Sequence, residues 1–254
     1  MKKIIIFAAL LKVLFAYDTS INYYMFGVDM NYEEYYGSQW LDGDYSDYSD
    51  LKGIGIKYSS NYFKSCPLFL KGEFIKGSSE YIGSTWDGDD LKLNKDNVYI
   101  YNIEIGAFPL NTPCYLSIGQ RVWNRGKSDY PGDYDEKYYW KYVNMGFYYT
   151  FNFESFSFSS DISYQHALSP KLDADLGSGT TLNLGTTTGY KVQIQAMYNF
   201  SSDLSVGLMY RYQMWHINVS DPGVIIYDNQ EIPVVEPESY TRNRYFGASL
   251  IYKF

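Results

Sequence analysis

The side chains best suited to acid–base chemistry are the two histidines, His166 and His216. A histidine acts as a general base when a neighbouring carboxylate sets its tautomer and raises its basicity. Tyr164 stands two residues before His166, where such a carboxylate would be expected, and Trp215 directly precedes His216. A serine two residues after a histidine would form a His-x-Ser catalytic pair, but Leu168 and Asn218 stand at these positions. We therefore predict that the protein is not an enzyme and has no catalytic residues.

Acidic residues recur in runs between the more regular segments of the chain. Clustered carboxylates offer the oxygen ligands that Ca²⁺ and Mg²⁺ prefer. None of the runs spells out a twelve-residue calcium loop, so we interpret them as solvated acidic surface and predict no metal and no cofactor. The runs comprise Asp42, Asp44, Asp47, Asp50, Asp87, Asp89, Asp90, Asp129, Asp133, Asp135, Glu136, Asp173 and Asp175.

Strict alternation of apolar and polar residues is the main secondary-structure pattern, and helical periodicity is nearly absent. In Tyr190 to Phe200 the even positions are apolar and the odd positions mostly polar, and segments 204–213 and 245–254 repeat this pattern. Such alternation predicts half-buried strands. We predict ten strands, at roughly 21–36, 48–60, 67–78, 96–108, 114–126, 136–150, 156–167, 188–200, 205–216 and 239–254.

The connections between these strands alternate between short and long, as in transmembrane barrels. The strands reach the roughly 9–11 residues that cross a bilayer at a tilt. Aromatic residues make up 20% of the chain and include 30 tyrosines, which suit membrane–water interfaces. We predict an all-β fold, a transmembrane antiparallel β-barrel of about ten strands with short periplasmic turns and long extracellular loops. A soluble β-sandwich or soluble barrel is the alternative.

The first sixteen residues have the pattern of a signal peptide. Lys2 and Lys3 precede an apolar run at 4–11, and Ala16 is a small residue at a cleavage point. The predicted organisation is a signal peptide at 1–16 and the barrel at 17–254, with a short buried N-terminal element as the alternative. The net charge of −8 argues against nucleic acid, whose phosphates need a basic surface.

The chain ends on Phe254, with Tyr252 and Leu250 at the alternate positions before it. Together with the basic start and the strand rhythm, this ending resembles Gram-negative outer-membrane β-barrel proteins of the small class with eight to ten strands. The resemblance implies a bacterial outer-membrane location, contact with outer-membrane lipid and lipopolysaccharide, and recognition of Phe254 by the barrel assembly machinery. A closed barrel leaves no strand edge unpaired, so a monomer is expected.

One narrower resemblance concerns the ten-stranded omptin proteases. Asp87-Gly88-Asp89 lies in the second long connection and His166 at the start of the fourth, which is similar to half of the omptin arrangement. The aspartate that this family carries two residues before its histidine is replaced by Tyr164. This departure makes an omptin-like surface protease the least favoured hypothesis.

Successive side chains of a strand point to opposite faces. If Phe200, Leu208 and Phe254 face lipid, the residues at alternate positions on their strands face the interior of the barrel. Ten strands lie near the size at which side chains fill a barrel, and opposite charges in a narrow lumen should pair. We therefore predict a mostly plugged, polar lumen. Its predicted polar network comprises Asp29, Glu33, Lys57, Lys71, Glu73, Glu104, Arg121, Asp161, Lys191 and Arg211. Predicted lipid-facing side chains include Tyr24, Phe26, Val28 and Met30, with Tyr138, Trp140 and Tyr142 in an outer aromatic girdle.

The two cysteines, Cys66 and Cys114, fall at periplasmic turns and begin the third and fifth strands. Two strand spacings are about 10 Å, whereas a disulfide needs Cα atoms within about 7 Å. Bending of the turns would close the gap, so both a disulfide and two free thiols are open. No second cysteine pair supports a redox or zinc motif.

The first functional hypothesis is a structural or surface-interaction role in adhesion or envelope integrity, carried by the outer loops. The second is a narrow pore for small solutes or ions.

Overall fold

The computed structural model describes residues 19–63, 65–85, 88–227 and 229–254. The predicted signal peptide at 1–16 lies outside the described residues. Described elements comprise thirteen strands and a short 3-10 turn, Pro109–Asn111. The strands are β1 Thr19–Tyr36, β2 Gln39–Ser60, β3 Leu68–Ser84, β4 Asp90–Ala107, β5 Cys114–Asn124, β6 Glu136–Phe153, β7 Phe156–Ala174, β8 Thr180–Asn183, β9 Thr187–Asn199, β10 Leu204–Ile217, β11 Gly223–Tyr227, β12 Gln230–Val234 and β13 Glu238–Lys253.

Ten of these strands form a closed antiparallel barrel. Each pairs with its neighbour in the chain, and β1 pairs with β13 along its length to close the ring. β8 is a short addition to β7, and β11 and β12 form a separate hairpin in the last long connection. The predicted fold, a ten-stranded antiparallel barrel, is confirmed. No helix in the described part of the chain is long and apolar enough to span a membrane.

The barrel strands extend further on the long-loop side than the alternation pattern predicted. The strands predicted at 21–36 and 48–60 leave residues 37–47 as a long first loop. This prediction is wrong, because β1 and β2 are joined by a two-residue turn at Gly37 and Ser38. Gly37 has a φ of +61°, a conformation that costs glycine little. Beyond the turn, Tyr35 pairs across the strands with Trp40. Aromatic cross-strand pairs of this kind stabilise a sheet. Strand pairing therefore continues through the Asp- and Ser-rich first half of β2.

A belt of exposed apolar side chains surrounds the middle of the barrel. Side chains of this kind are stable on the outside of a barrel only in hydrocarbon. Above the belt, β1 and β13 carry Asp29 and Arg244 on their outer face, which marks the upper edge of the hydrocarbon region. The belt includes Met25, Ile54, Ile56, Phe74, Ile103, Ile105, Ile118, Met145, Ile162, Ile194, Leu208 and Leu250.

The inner and outer faces of strand β1 were assigned the wrong way round. Tyr24, Phe26, Val28 and Met30 point into the barrel and are buried, so their predicted contact with lipid is wrong. The predicted lumen positions of Asp29 and Glu33 are wrong for the same reason. Asp29 pairs with Arg244 at 3.1 Å and Glu33 with Arg242 at 2.5 Å, on the outer wall above the belt. There the outside of the barrel faces water, so the polar face is the outer one.

Inward-facing glycines lie under aromatic rings from the neighbouring strand. A Cβ atom added to Gly55 would lie 2.2 Å from Tyr24, and one added to Gly53 would lie 2.4 Å from Phe26. Gly119 is covered in the same way by Tyr142. These rings therefore lie flat against the wall, which makes room for large side chains inside a narrow barrel.

Candidate functional site in the barrel lumen

The lumen contains three layers along its axis. The layer nearest the short turns, which are predicted to be periplasmic, is charged and is here called the lower network. Its members are Lys57, Lys71, Glu73, Glu104, Arg121, Asp161, Lys191 and Arg211, and Arg121 reaches the ring of Trp140 in the layer above. The middle layer, the aromatic plug, consists mainly of apolar and aromatic side chains. The layer at the extracellular end, the upper cluster, consists of Glu34, Asp42, Asp44, Lys95, Arg125, Glu136 and Glu236.

Arg211 is the central cation of the lower network. Its Nη2 donates to Glu73 Oε1 across the lumen at 2.6 Å, and its Nε donates to Gln193 Oε1 at 2.9 Å. Lys71 Nζ lies 3.1 Å from the same Glu73 oxygen, and the Tyr24 hydroxyl donates to it at 2.9 Å. One carboxylate is therefore shared by two cations and a phenol, which compensates the cost of burying it.

A second ion pair lies on the opposite wall of the lower network. Lys191 Nζ is 2.8 Å from Asp161 Oδ2, and the Tyr115 hydroxyl donates to Asp161 Oδ1 at 2.8 Å. Glu104 is held by neutral groups, since Ser117 Oγ donates to it at 2.5 Å and Asn144 Nδ2 at 2.8 Å.

Arg121 and Lys57 are the two cations of the lower network without a carboxylate within ion-pair distance among the described residues. The Arg121 side chain is buried, with one hydrogen bond of 3.3 Å to Asn102 Oδ1. Lys57 Nζ lies 4.7 Å from the centre of the Tyr148 ring and 5.0 Å from that of Phe69. The structure thus places eight of the ten predicted network residues in the lumen, and the other two are Asp29 and Glu33.

The aromatic plug closes the barrel above the lower network. Trp140 and Trp215 meet edge to face with ring centroids 5.0 Å apart, and Trp123 stacks on Tyr138 at 4.8 Å. The outer girdle predicted for Tyr138, Trp140 and Tyr142 is therefore wrong, because all three are buried inside. The predicted polar filling holds for the lower half of the lumen and is wrong for this layer. The plug also contains Met30, Tyr32, Leu51, Ile75, Val98, Ile100, Leu172, Leu182, Ile217 and Tyr245.

The upper cluster is built around Arg125, which follows the end of β5. Its Nε donates to Asp44 Oδ2 at 2.5 Å, and its Nη1 donates to Glu34 Oε1 at 2.6 Å and to Glu136 Oε2 at 2.5 Å. Its Nη2 is 3.5 Å from Asp42 Oδ1. Gly126, with a φ of +74°, packs against the Asp96 backbone so closely that a Cβ atom would lie 2.3 Å from its carbonyl oxygen. This close approach fixes the chain next to Arg125.

The upper cluster contains five acidic and two basic side chains, so its carboxylates compete for too few cations. Lys95 Nζ lies 3.9 Å from Asp44 Oδ1, and the Glu236 carboxylate accepts a hydrogen bond from the Tyr138 hydroxyl. Burial, together with the neighbouring Asp42, raises the pKa of Glu34 to about 7. Burial and the charges of Glu34 and Glu136 raise the pKa of Glu236 well above its usual range. The cluster therefore retains protons that free carboxylates would lose.

Sequence reasoning missed the upper cluster because its acids were interpreted as solvated loops. Asp42 and Asp44 are on β2, and Glu136 is the first residue of β6. A usable pattern was present in the two segments on either side of the third long connection. Trp123 and Arg125 occupy every second position before it, and Glu136, Tyr138 and Trp140 occupy every second position after it. Alternation of this kind places the aromatic and charged side chains on the same face of paired strands.

Both histidines lie on the outer wall of the barrel. His216 stacks on Tyr240 with ring centroids 4.5 Å apart, and its Nε2 is 2.6 Å from Glu238 Oε1. His166 pairs with outward-facing Val143. No hydrogen bond or ion pair among the described residues joins His166 to Asp89, and Asp87 lies outside the described residues. Within that same described part of the chain, no group of three or more His, Cys, Asp or Glu side chains is placed to hold a metal ion.

Both cysteines are free thiols in the structure. Their turns do touch, since the Asn111 amide donates to the Ser65 carbonyl at 3.0 Å. The disulfide left open by the sequence is therefore not formed, in keeping with the intervening strand β4 between the strands that they begin.

No protein-family model matches the sequence, and no curated protein matches it. Among solved structures, the outer-membrane protease OmpT from Escherichia coli matches with a TM-score of 0.65 and 11% identity, covering 93% of this chain and 97% of that chain. The translocator domain of the autotransporter NalP from Neisseria meningitidis matches with 0.41 and 7%, covering 93% and 88%. Neisserial surface protein A matches with 0.38 and 12%, covering 93% and 97%. At these identities the likeness concerns the fold alone.

Proposed function

We propose that this outer-membrane β-barrel does not conduct solutes and acts at its extracellular end, as a structural or surface-interaction protein in adhesion or envelope integrity. The aromatic plug is the observation that carries the proposal. Trp123, Trp140 and Trp215 are buried inside the barrel between the two charged layers, and Trp140 packs edge to face on Trp215 with ring centroids 5.0 Å apart. A narrow pore, the second hypothesis, would require this layer to open.

The extracellular end is a firm platform on which a partner could rest. The hairpin formed by β11 and β12 is anchored by two bonds with Ser178, whose amide donates to the Ile226 carbonyl at 3.0 Å and whose Oγ accepts from the Ile226 amide at 2.9 Å. Val224 and Ile226 are exposed on this hairpin. Fixed apolar side chains at a surface favour contact with other macromolecules.

The absence of conduction is tested by single-channel recording of the refolded mature protein in a planar bilayer. We expect the wild type to be silent, and the double variant Trp140→Ala, Trp215→Ala to show openings because a cavity replaces the plug. Phe246→Ala, which removes a lipid-facing ring from β13, is the matched control and should stay silent. Steady openings of the wild type would overturn the proposal.

The surface role is tested by the adherence of cells that display the protein to polystyrene. We expect Val224→Asp, Ile226→Asp to reduce adherence several-fold, because charge replaces the apolar face of the hairpin. Leu110→Asp makes a matching change at an exposed periplasmic turn and should have no effect. Equal adherence of the hairpin variant and the wild type, at equal surface levels, would count against adhesion through this hairpin.

A further inference from the structure

The lower network surrounds a cavity of about 90 Å³ that reaches the periplasmic end of the barrel. Its wall includes Lys57, Lys71, Lys191 and Arg211, and near the turns it includes Ser20 and Ser59. A space of this size holds roughly six water molecules. It is therefore large enough for a small polyatomic ion and too small for a sugar chain or a peptide.

Basic side chains outnumber acidic ones around this cavity. Among the described residues, the lower network contains five basic groups and three carboxylates. Glu73 is already shared by Arg211 and Lys71, and Asp161 is bound by Lys191. The unneutralised positive charge lies within a narrow barrel surrounded by hydrocarbon, where it is weakly screened.

Lys57 and Lys71 stand directly opposite each other on β2 and β3. Both side chains point into the lumen, and like charges at directly opposed positions destabilise a sheet. Glu73 compensates the charge of Lys71 at 3.1 Å, whereas Lys57 has only ring contacts, so an anion near both ammonium groups would relieve the remaining repulsion.

The surroundings of Lys57 hold its ammonium group in place without neutralising it. The faces of Phe69 and Tyr148 attract the cation from two sides at 5.0 and 4.7 Å. No salt bridge among the described residues involves Lys57, and the nearby Asp161 carboxylate is already bound by Lys191 at 2.8 Å, so the Lys57 ammonium group is available to a ligand that enters the cavity.

We propose that the cavity is a binding site for a small oxyanion, a phosphate or a simple carboxylate, held between Lys57 and Lys71 and open to the periplasm. Charge-assisted hydrogen bonds from the two ammonium groups would hold the oxygens, and the cation excess of the lower network supplies the long-range attraction. The inference is independent of the proposed surface role, because the plug separates the two ends of the barrel.

Isothermal titration of the refolded mature barrel with inorganic phosphate and with acetate, at constant ionic strength set by chloride, tests the site. We expect saturable binding with one site per barrel. Lys57→Met keeps the length of the side chain and its contact with the rings but removes the charge, and should weaken binding at least tenfold. Lys57→Arg should restore most of it.

Lys52→Met is the matched control, because Lys52 is on the same strand but exposed on the outer wall, and it should bind as the wild type does. Heat-dependent gel migration checks that every variant is folded. Absence of saturable binding by the wild type, or equal binding by folded Lys57→Met, would overturn the proposal. Binding of phosphate without acetate would restrict the ligand to phosphates, and displacement of both by chloride alone would overturn selectivity for oxyanions.

Discussion

The lower network and the upper cluster are each built around one buried arginine, but they balance charge in opposite ways. Arg211 shares a single carboxylate, Glu73, with a second cation. Arg125 alone contacts four carboxylates, those of Glu34, Asp42, Asp44 and Glu136. The described lower network has an excess of two basic groups, and the upper cluster has an excess of three acidic groups.

This difference shows that a plugged barrel need not be neutral layer by layer. The lower network lies at membrane depth, where an unpaired charge is most costly, and its excess is positive on the periplasmic side. The upper cluster lies above the belt, where protonation can relieve an excess of carboxylates. The aromatic plug keeps the two layers apart, so they do not neutralise each other.

Removing each arginine gives the largest expected contrast. Arg125→Met leaves four buried carboxylates with Lys95 as the nearest cation, and we expect a loss of about 3–5 kcal/mol in the free energy of unfolding. Arg211→Met leaves Glu73 with Lys71 and Tyr24, so a loss of about 2 kcal/mol is expected. Urea unfolding of the barrel refolded into lipid vesicles measures both. Equal losses would show that the two layers balance charge in the same way.

Adding a charge tests the wall between the lower network and the membrane. Ile194 faces lipid near the middle of the belt, so Ile194→Arg should cost about 2–4 kcal/mol. The adjacent Gln193 points inward and accepts a bond from Arg211, so Gln193→Glu adds a carboxylate where cations are in excess. We expect that change to stay below about 1 kcal/mol. Equal tolerance at the two positions in the same unfolding assay would contradict the assignment of inner and outer faces.

The dependence of stability on pH should come from the upper cluster. The pKa of Glu34 is about 7 in the folded barrel and about 4.3 in an unfolded chain, so the folded state binds the proton more tightly. Its contribution to the free energy of unfolding is therefore present at low pH and is lost as the pH rises through 7. Compared with Glu34→Gln, the wild type should lose on the order of 1–3 kcal/mol between pH 5 and pH 8.

Glu33→Gln is the matched control for this titration, because Glu33 is the neighbouring β1 carboxylate and pairs with Arg242 on the outer wall. Unfolding curves at several pH values compare the two variants. If Glu34→Gln kept the full pH dependence of the wild type, the excess of acids in the upper cluster would not be the cause.

The alternation of the sequence predicted ten strands, and most of their ends, because a strand with one buried face repeats every two residues. It failed on β1, where the apolar and aromatic side chains are inside and Asp29 and Glu33 are outside, and on the first half of β6, where Tyr138, Trp140 and Tyr142 are inside. Parity does not separate the two faces at Tyr24 and Phe26, because the outward-facing Tyr23 and Met25 beside them are also apolar. At Asp29 and Glu33, above the belt, the outside of the barrel faces water and is the polar face. The eight lumen residues placed as predicted lie on strands that keep the correct parity through the belt.

The upper cluster could not be predicted from the sequence for a second reason. Its members come from β1, β2, β4, the end of β5, the start of β6 and the segment before β13, so they meet only when the barrel closes. Asp42 and Asp44 look like solvated acids until Arg125 is known to lie opposite them. Composition alone does not distinguish a carboxylate in a loop from one on a strand that continues above the membrane.

The rings that lie flat on glycines have a consequence for how the barrel forms. Tyr24 on Gly55 and Phe26 on Gly53 join residues of the first hairpin, whose strands are separated by a two-residue turn. These contacts join two strands that are neighbours in the chain, so they do not require β1 to pair with β13. The first hairpin therefore carries part of the lumen packing within itself, independently of the closure of the ring. A larger residue at Gly55 would have to be matched by a smaller one at Tyr24, so these positions should change together as the sequence diverges.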